Sequence, residues 1–226
     1  MSAAMRTRPS LFATAVGKKY AMAISGLVLM GYVLLHMVGN LKIYFGAESL
    51  NKYAEWLREI GEPALPREWL LWGLRFVLLA AVFVHIYAAY SLTVMNRRAR
   101  PVQYVSKRDY VAADFASRTM RWTGIIVVLF VVWHLLDLTW GTTNPDFVSG
   151  DVYHNVIASF ERIPVAIAYV IANLALGVHL YHGAWSLFQS MGWYGTWRRT
   201  FSIAFAGVVV LGNVSFPLAV MFGVVN

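Results

Sequence analysis

Six histidines stand out in a chain that otherwise offers few groups able to do chemistry. Five of them lie inside long apolar segments, where an ionisable side chain is costly and is usually kept for a function. Neutral imidazole binds iron, copper and zinc, and it also moves protons. The sequence has no cysteine, so thiolate-held iron–sulfur clusters and thioether-linked haem are excluded. The five are His36, His85, His134, His179 and His182, and the sixth, His154, falls in a loop.

These five histidines belong to four of the five apolar runs that are long enough to span a membrane. A transmembrane helix needs about 20 apolar residues to cross a hydrocarbon core of about 30 Å. Apolar residues make up 59% of this chain and charged residues only 13%. Continuous apolar runs favour helices over the alternating pattern of membrane strands. We therefore predict an all-α membrane protein with one domain over 1–226 and helices I to V at about 20–41, 69–95, 122–140, 163–189 and 201–225.

The distribution of positive charge predicts the orientation in the membrane. If the N-terminus is cytoplasmic, the cytoplasmic segments 1–19, 96–121 and 190–200 contain 13 of the 19 Lys and Arg residues. Cytoplasmic loops are enriched in these residues, so this orientation is favoured and the C-terminus lies outside. The net charge of +8 then reflects topology, and nucleic-acid binding is not indicated.

Two connections are longer than the others. In the outer loop 42–68, apolar residues recur at helical spacing, which predicts a short amphipathic helix on the membrane surface that ends near Gly61 and Pro63. The inner loop 96–121 is basic and polar, so it is either solvated surface or a docking site for a soluble partner. We find no internal repeat. The apolar residues of the outer-loop helix are Leu50, Tyr53, Leu57 and Ile60.

The histidines of helices I to IV fall at two depths. His36 and His134 each stand six residues before the outer end of their helix, or about 9 Å at the helical rise per residue. His85 and His179 each stand 17 residues after the outer start of theirs, or about 25 Å. In an up-down-up-down bundle, helix I is diagonal to III and helix II to IV. Each pair of equal depth therefore faces across the bundle core.

Two facing imidazoles at one depth fit the axial ligands of a haem. We interpret the pattern as two b-type haems, an outer one between His36 and His134 and an inner one between His85 and His179. Zinc fits less well because it prefers four ligands around one centre. Matched depth selects His179 over His182, which lies one turn nearer the cytoplasm and either bonds a haem propionate or reaches interfacial water. The alternative is a haem-free anchor or small transporter whose histidines pack between helices or carry protons.

Four stretches of the chain together resemble a known family. They are SGLVLMGYVLLHMVGN (25–40), VFVHIYAAY (82–90), RWTGIIVVLFVVWH (121–134) and VHLYHGAWSLFQSMG (178–192). They are similar to the membrane-anchor cytochrome b subunit of succinate dehydrogenase and fumarate reductase, in its single-chain, five-helix, dihaem class. The resemblance implies one haem ligand in each of helices I to IV, at the same four histidines.

The resemblance also implies a place in electron transport, linked to the tricarboxylic acid cycle in a bacterial plasma membrane. A flavoprotein subunit would oxidise succinate, and an iron–sulfur subunit would carry the electrons to this anchor. The anchor would pass them through the inner and then the outer haem to menaquinone or another quinone. Some members run in reverse as fumarate reductases. The alternative within the same chemistry is a cytochrome b subunit of another quinone-linked dehydrogenase.

Three further residues are candidates for contact with haem. Haem propionates are anionic and favour basic or hydroxyl partners near a membrane face. Arg121 matches a basic position of the family and suits the inner haem, or is an ordinary positive-inside anchor. Ser25 could contact a haem edge, or serve close helix packing. Arg75 could bind an outer-haem propionate or a quinone headgroup, or extend to the interface.

Overall fold

The computed structural model of the chain describes residues 14–99 and 113–226. These residues form seven α-helices and one short 3-10 helix at Leu41–Phe45, with no strand among them. Five of the helices are long and apolar enough to cross a membrane, so the all-α membrane fold predicted from the sequence is confirmed. The helices are α1 (Ala15–Asn40), α2 (Ala47–Glu59), α3 (Trp69–Arg98), α4 (Ala113–Leu138), α5 (Val152–Glu161), α6 (Ile163–Ser190) and α7 (Trp197–Met221).

The long helices follow the predicted spans, with shifts at their ends. α4 begins at Ala113, well before its apolar run, and α7 covers Trp197–Met221 rather than the predicted 201–225. α7 stops early because Gly223 takes a left-handed φ of 67°, a conformation that commonly ends helices. Hydropathy locates the membrane-crossing part of a helix, whereas backbone hydrogen bonding sets its ends.

Helices α1, α3, α4 and α6 form the bundle, and α7 packs along α6. α1 lies along α3, α4 lies along α6, and the two pairs meet where α1 contacts α6. α1 is therefore diagonal to α4 and α3 is diagonal to α6, as expected for an up-down-up-down bundle. Only 6% of the apolar window of α3 or α4 is buried, against 33% for α6 and for α7. The sides of α3 and α4 thus remain open and apolar.

Two short helices, α2 and α5, cover one end of the bundle, which we call the capped end. The side-chain amide of Asn51 donates to Asp151 at 2.9 Å, and the Tyr153 amide donates back to the Asn51 side chain at 3.0 Å. Asp151 also begins α5 by accepting from the His154 amide. The hydrogen bonds from His154 and then from Asn51 hold the pKa of the Asp151 carboxyl below its usual value. These contacts fasten α2 to α5.

The amphipathic helix predicted in the outer loop is present as α2, and one of its faces packs on protein. Leu50 is buried in one cluster with Met37 of α1, Ile157 of α5 and Phe216 of α7. We did not predict α5, because its ten residues are too few for a membrane span. Asp151 followed by an apolar stretch was the available signal for its start.

The opposite end of the bundle, which we call the basic end, carries Arg97 and Arg98 in the last turn of α3. There the Nζ atom of Lys18 bonds the hydroxyl of Ser91 at 2.5 Å and joins α1 to α3. Half of the inner loop predicted at 96–121, residues 100–112, lies outside the described residues.

Candidate haem sites

The four histidines predicted as ligands meet in two pairs inside the bundle. The rings of His36 and His134 lie 5.9 Å apart, centre to centre, and are perpendicular. The rings of His85 and His179 lie 6.3 Å apart with 66° between their planes. Each pair joins two diagonal helices, and the pairing is the one that residue spacing predicts.

The ring separation in each pair fits one metal ion held between two imidazoles. Two metal–nitrogen bonds of about 2 Å, plus about 1 Å from each nitrogen to its ring centre, give roughly 6 Å. Across the described ranges, no three or more His, Cys, Asp or Glu side chains lie close enough together to hold a metal ion by themselves. Two protein ligands leave the other positions around iron to a porphyrin, so the donor set fits bis-histidine haem.

The inner pair is held by matching contacts from α1 and α4. The Nδ1 atom of His85 lies 3.3 Å from the Ser25 hydroxyl and 3.2 Å from the Met22 carbonyl. The Nδ1 atom of His179 lies 3.3 Å from the Thr123 hydroxyl. Both hydroxyls donate to carbonyls of their own helices, so each is free to accept from Nδ1–H. That tautomer leaves Nε2 available for a metal, the arrangement usual for metal-binding histidines.

The two inner contacts arise from a short repeated motif that we did not recognise in the sequence. α1 contains Met-Ala-Ile-Ser-Gly at 22–26, and α4 contains Met-Arg-Trp-Thr-Gly at 120–124. In both helices the outer histidine follows ten residues after the glycine. A Cβ on the first glycine would lie 3.2 Å from Cε1 of His85, and one on the second 3.5 Å from Cε1 of His179. The first distance is shorter than ordinary contact and the second is not, so glycine is needed for the approach of His85 at Gly26.

The outer pair lies among aromatic rings. His36 stacks on Tyr32 of its own helix, with ring centres 5.4 Å apart. His134 contacts Phe130 at 5.9 Å and Tyr169 at 6.0 Å. Its Nδ1 atom is buried and makes no hydrogen bond within the described part of the chain. Packing, rather than a hydroxyl, therefore orients the His134 ring.

A buried carboxylate stands one helical turn beyond His134. Asp137 is fully buried and accepts hydrogen bonds from Ser159, from Nη2 of Arg162 at 2.5 Å and from the Tyr169 hydroxyl at 3.0 Å. We did not single out Asp137 in the sequence, although it lies within the predicted span 122–140. An acid inside a predicted span is a signal of function, and that signal was available.

The remaining candidate residues take separate positions. His182 is buried and lines an apolar groove between α6 and α7, whereas His179 faces His85. Arg121 is exposed near the basic end of α4. Arg75 is exposed on α3, and its guanidinium lies 4.7 Å from the centre of the Trp72 ring.

Known proteins provide an independent comparison. A family model described as the succinate dehydrogenase/fumarate reductase transmembrane subunit matches residues 93–214, just over half of the chain. The chain therefore belongs to this family, and the resemblance seen in the sequence is confirmed. It is also similar to the succinate dehydrogenase cytochrome b558 subunit of Bacillus subtilis (strain 168), with 24% identity over 172 residues, 75% of this chain and 77% of the relative. No solved structure matches the chain.

Proposed function

We propose that this chain is the dihaem cytochrome b anchor of a succinate:quinone oxidoreductase. His36 and His134 bind the iron of an outer haem, and His85 and His179 bind that of an inner haem. The observation that carries this proposal is the pairing of imidazoles from four helices at ring separations of 5.9 and 6.3 Å. Bound haem supplies one-electron transfer, here from an iron–sulfur subunit to menaquinone or another quinone.

The work of the polypeptide is to hold and shield the ligands. Ser25 and Thr123 fix the Nδ1 proton of each inner histidine, so that the opposite nitrogen is presented to the metal. Around the outer pair, Phe130 and Tyr169 exclude water, and α2 and α5 close the capped end above them.

The surrounding charges support further assignments. We place the basic end in the cytoplasm of a bacterial cell, next to the flavoprotein and iron–sulfur subunits. The segments 1–19, 96–121 and 190–200, predicted on the cytoplasmic side, contain 13 of the 19 Lys and Arg residues. Arg121 and His182 are assigned to propionates of the inner haem. Arg75 is assigned to a propionate of the outer haem or to the quinone headgroup. The whole chain, 1–226, acts as one transmembrane domain.

Two other functions remain distinguishable by experiment. The family match argues against a cytochrome b of an unrelated dehydrogenase. In a haem-free anchor or transporter, the histidines would only pack or carry protons. The paired depths of the four histidines and the hydrogen-bonded Nδ1 atoms of the inner pair favour metal ligation over packing or proton transfer.

The test is the haem content of the complex purified through a tag on this chain. We expect two b haems per chain, reduction of haem by succinate, and copurifying flavoprotein and iron–sulfur subunits identified by mass spectrometry. A complex that contains those subunits but no haem would still support the role as a membrane anchor, but it would refute the assignment of two haems. Copurification of a different dehydrogenase would overturn the succinate assignment.

A further inference from the structure

The described residues include one completely buried carboxylate, that of Asp137, at 0% exposure. An ionised side chain within a membrane-spanning helix is costly, and such residues are rarely kept without a function. The proposed electron carrier does not require a carboxylate at this place. The location of Asp137 is informative, because three residues along an α-helix bring it back to the face of His134.

A chain of contacts leads from Asp137 to the His134 ring. The Tyr169 hydroxyl donates to the carboxylate at 3.0 Å, and the Tyr169 ring lies edge-on to His134 at 6.0 Å and 62°. Phe130 and Phe160 flank the same tyrosine ring at 5.1 and 4.9 Å. Since the His134 Nδ1 atom has no hydrogen bond in the described part, the neighbouring rings limit the rotation of His134. Among them, Tyr169 is the ring that is hydrogen-bonded to Asp137.

The partner charge lies nearer to the surface. Arg162 bonds Asp137 through Nη2 at 2.5 Å and the Thr143 carbonyl through Nη1 at 2.6 Å. Its side chain is 27% exposed, whereas that of Asp137 is not exposed at all. Solvent screens the guanidinium more strongly than the carboxylate, so the ion pair leaves a net negative field on the His134 side.

We propose that Asp137 is a positioning residue for the outer haem: through Tyr169 it fixes the ring of His134, and its charge lowers the midpoint potential of that haem. The inference rests on the proposed outer haem at His36 and His134. Ferric haem carries one more positive charge than ferrous haem, so a nearby carboxylate stabilises the oxidised form. Tyr169 connects the carboxylate to the His134 ring by a hydrogen bond on one side and a ring contact on the other, and Asp137 supplies the negative charge.

The test is redox titration of the purified complex, monitored by haem absorbance, combined with electron paramagnetic resonance of the oxidised haems. Asp137→Asn keeps the size and an acceptor oxygen but removes the charge. We expect the midpoint potential of the outer haem to rise while that of the inner haem stays unchanged. The matched control is Asp146→Asn, because Asp146 is an exposed acid at the same end. That variant should leave both potentials unchanged.

A second variant keeps the proposal testable if Asp137→Asn does not assemble. Tyr169→Phe keeps the ring and the Asp137–Arg162 pair but removes the hydroxyl. We expect the electron paramagnetic resonance signal of the outer haem to change, because the orientation of the His134 ring is less restricted. The signal of the inner haem should stay the same. Wild-type-like outer potential in Asp137→Asn, an equal shift of both haems, or an unchanged outer signal in Tyr169→Phe would each overturn the proposal. A wild-type complex without an outer haem would instead overturn the proposed function, so the two failures are distinguishable.

Discussion

Ser25 and Thr123 occupy equivalent positions on α1 and α4, and each hydroxyl lies 3.3 Å from Nδ1 of one inner histidine. The helix pairs α1/α3 and α4/α6 therefore hold their histidines by the same contact. Both inner rings are therefore oriented by groups of the neighbouring helix.

The inner hydroxyls lead to the first prediction, which concerns redox potential. A hydrogen bond from Nδ1–H makes an imidazole a stronger donor to iron and so favours the ferric state. Thr123→Ala should raise the midpoint potential of the inner haem alone, measured by redox titration. Ser25→Ala should raise it less, because the Met22 carbonyl still accepts from Nδ1 of His85. A net hydrogen-bond energy of about 1 kcal/mol limits the shift to roughly 40 mV for one electron.

A matched control for these variants is Thr93→Ala in α3. The Thr93 hydroxyl also donates to a carbonyl of its own helix, that of Ala89, at 2.8 Å. We expect this change to leave both potentials at their wild-type values. Equal shifts in Thr93→Ala and Ser25→Ala would show that the effect is a general loss of helix packing.

The second prediction concerns the four ligands. His36→Ala or His134→Ala should remove the outer haem and leave the inner one, because one imidazole alone cannot supply both axial ligands of the iron. His85→Ala or His179→Ala should do the reverse. Haem per chain and the difference spectrum measure both outcomes.

His182→Ala completes the ligand series, because the proposed role of His182 is to bond a propionate and not the iron. It should keep both haems. If His182→Ala lost the inner haem and His179→Ala retained it, the iron ligand in α6 would be His182 and not His179.

The third prediction concerns the close approach of an inner ring to α1. A Cβ at position 26 would lie 3.2 Å from Cε1 of His85, which is closer than ordinary contact. Gly26→Ala should therefore displace the ring and lower the retention of the inner haem during purification. Gly31→Ala is the control, because a Cβ there meets nothing within 4 Å. Equal haem retention in the two variants would show that the close approach has no importance.

The fourth prediction concerns orientation in the membrane. The chain has no cysteine, so a single introduced thiol can report its side without background from this subunit. Asp146→Cys at the capped end should react with a membrane-impermeant thiol reagent on intact cells, and Arg98→Cys should react only after permeabilisation. The reverse pattern of labelling would invert the proposed topology.

The sequence predicted much of this site because helical geometry is regular. Residue counts gave the depth of each histidine, since every helical residue advances about 1.5 Å along the axis. Short connections fixed the antiparallel order, and that order made α1 diagonal to α4 and α3 diagonal to α6. The choice of His179 over His182 followed from depth, and the ring facing His85 is that of His179.

The sequence did not predict the contacts that orient the rings. The depth of a residue in the membrane does not reveal how its helix is rotated about its own axis. This rotation determines that Ser25 contacts His85 and that Tyr169 contacts His134. The sequence pattern did not single out Asp137 either, because its partners Ser159 and Arg162 lie more than 20 residues further along the chain.

The sequence by itself therefore determined the five spans, the four histidines and their pairing by depth, because these depend on composition and on a fixed rise per residue. Only the tertiary structure decided which side chains hold each ring, how α2 and α5 close one end, and what surrounds Asp137. Those features depend on packing between segments far apart in the chain, which local pattern does not encode.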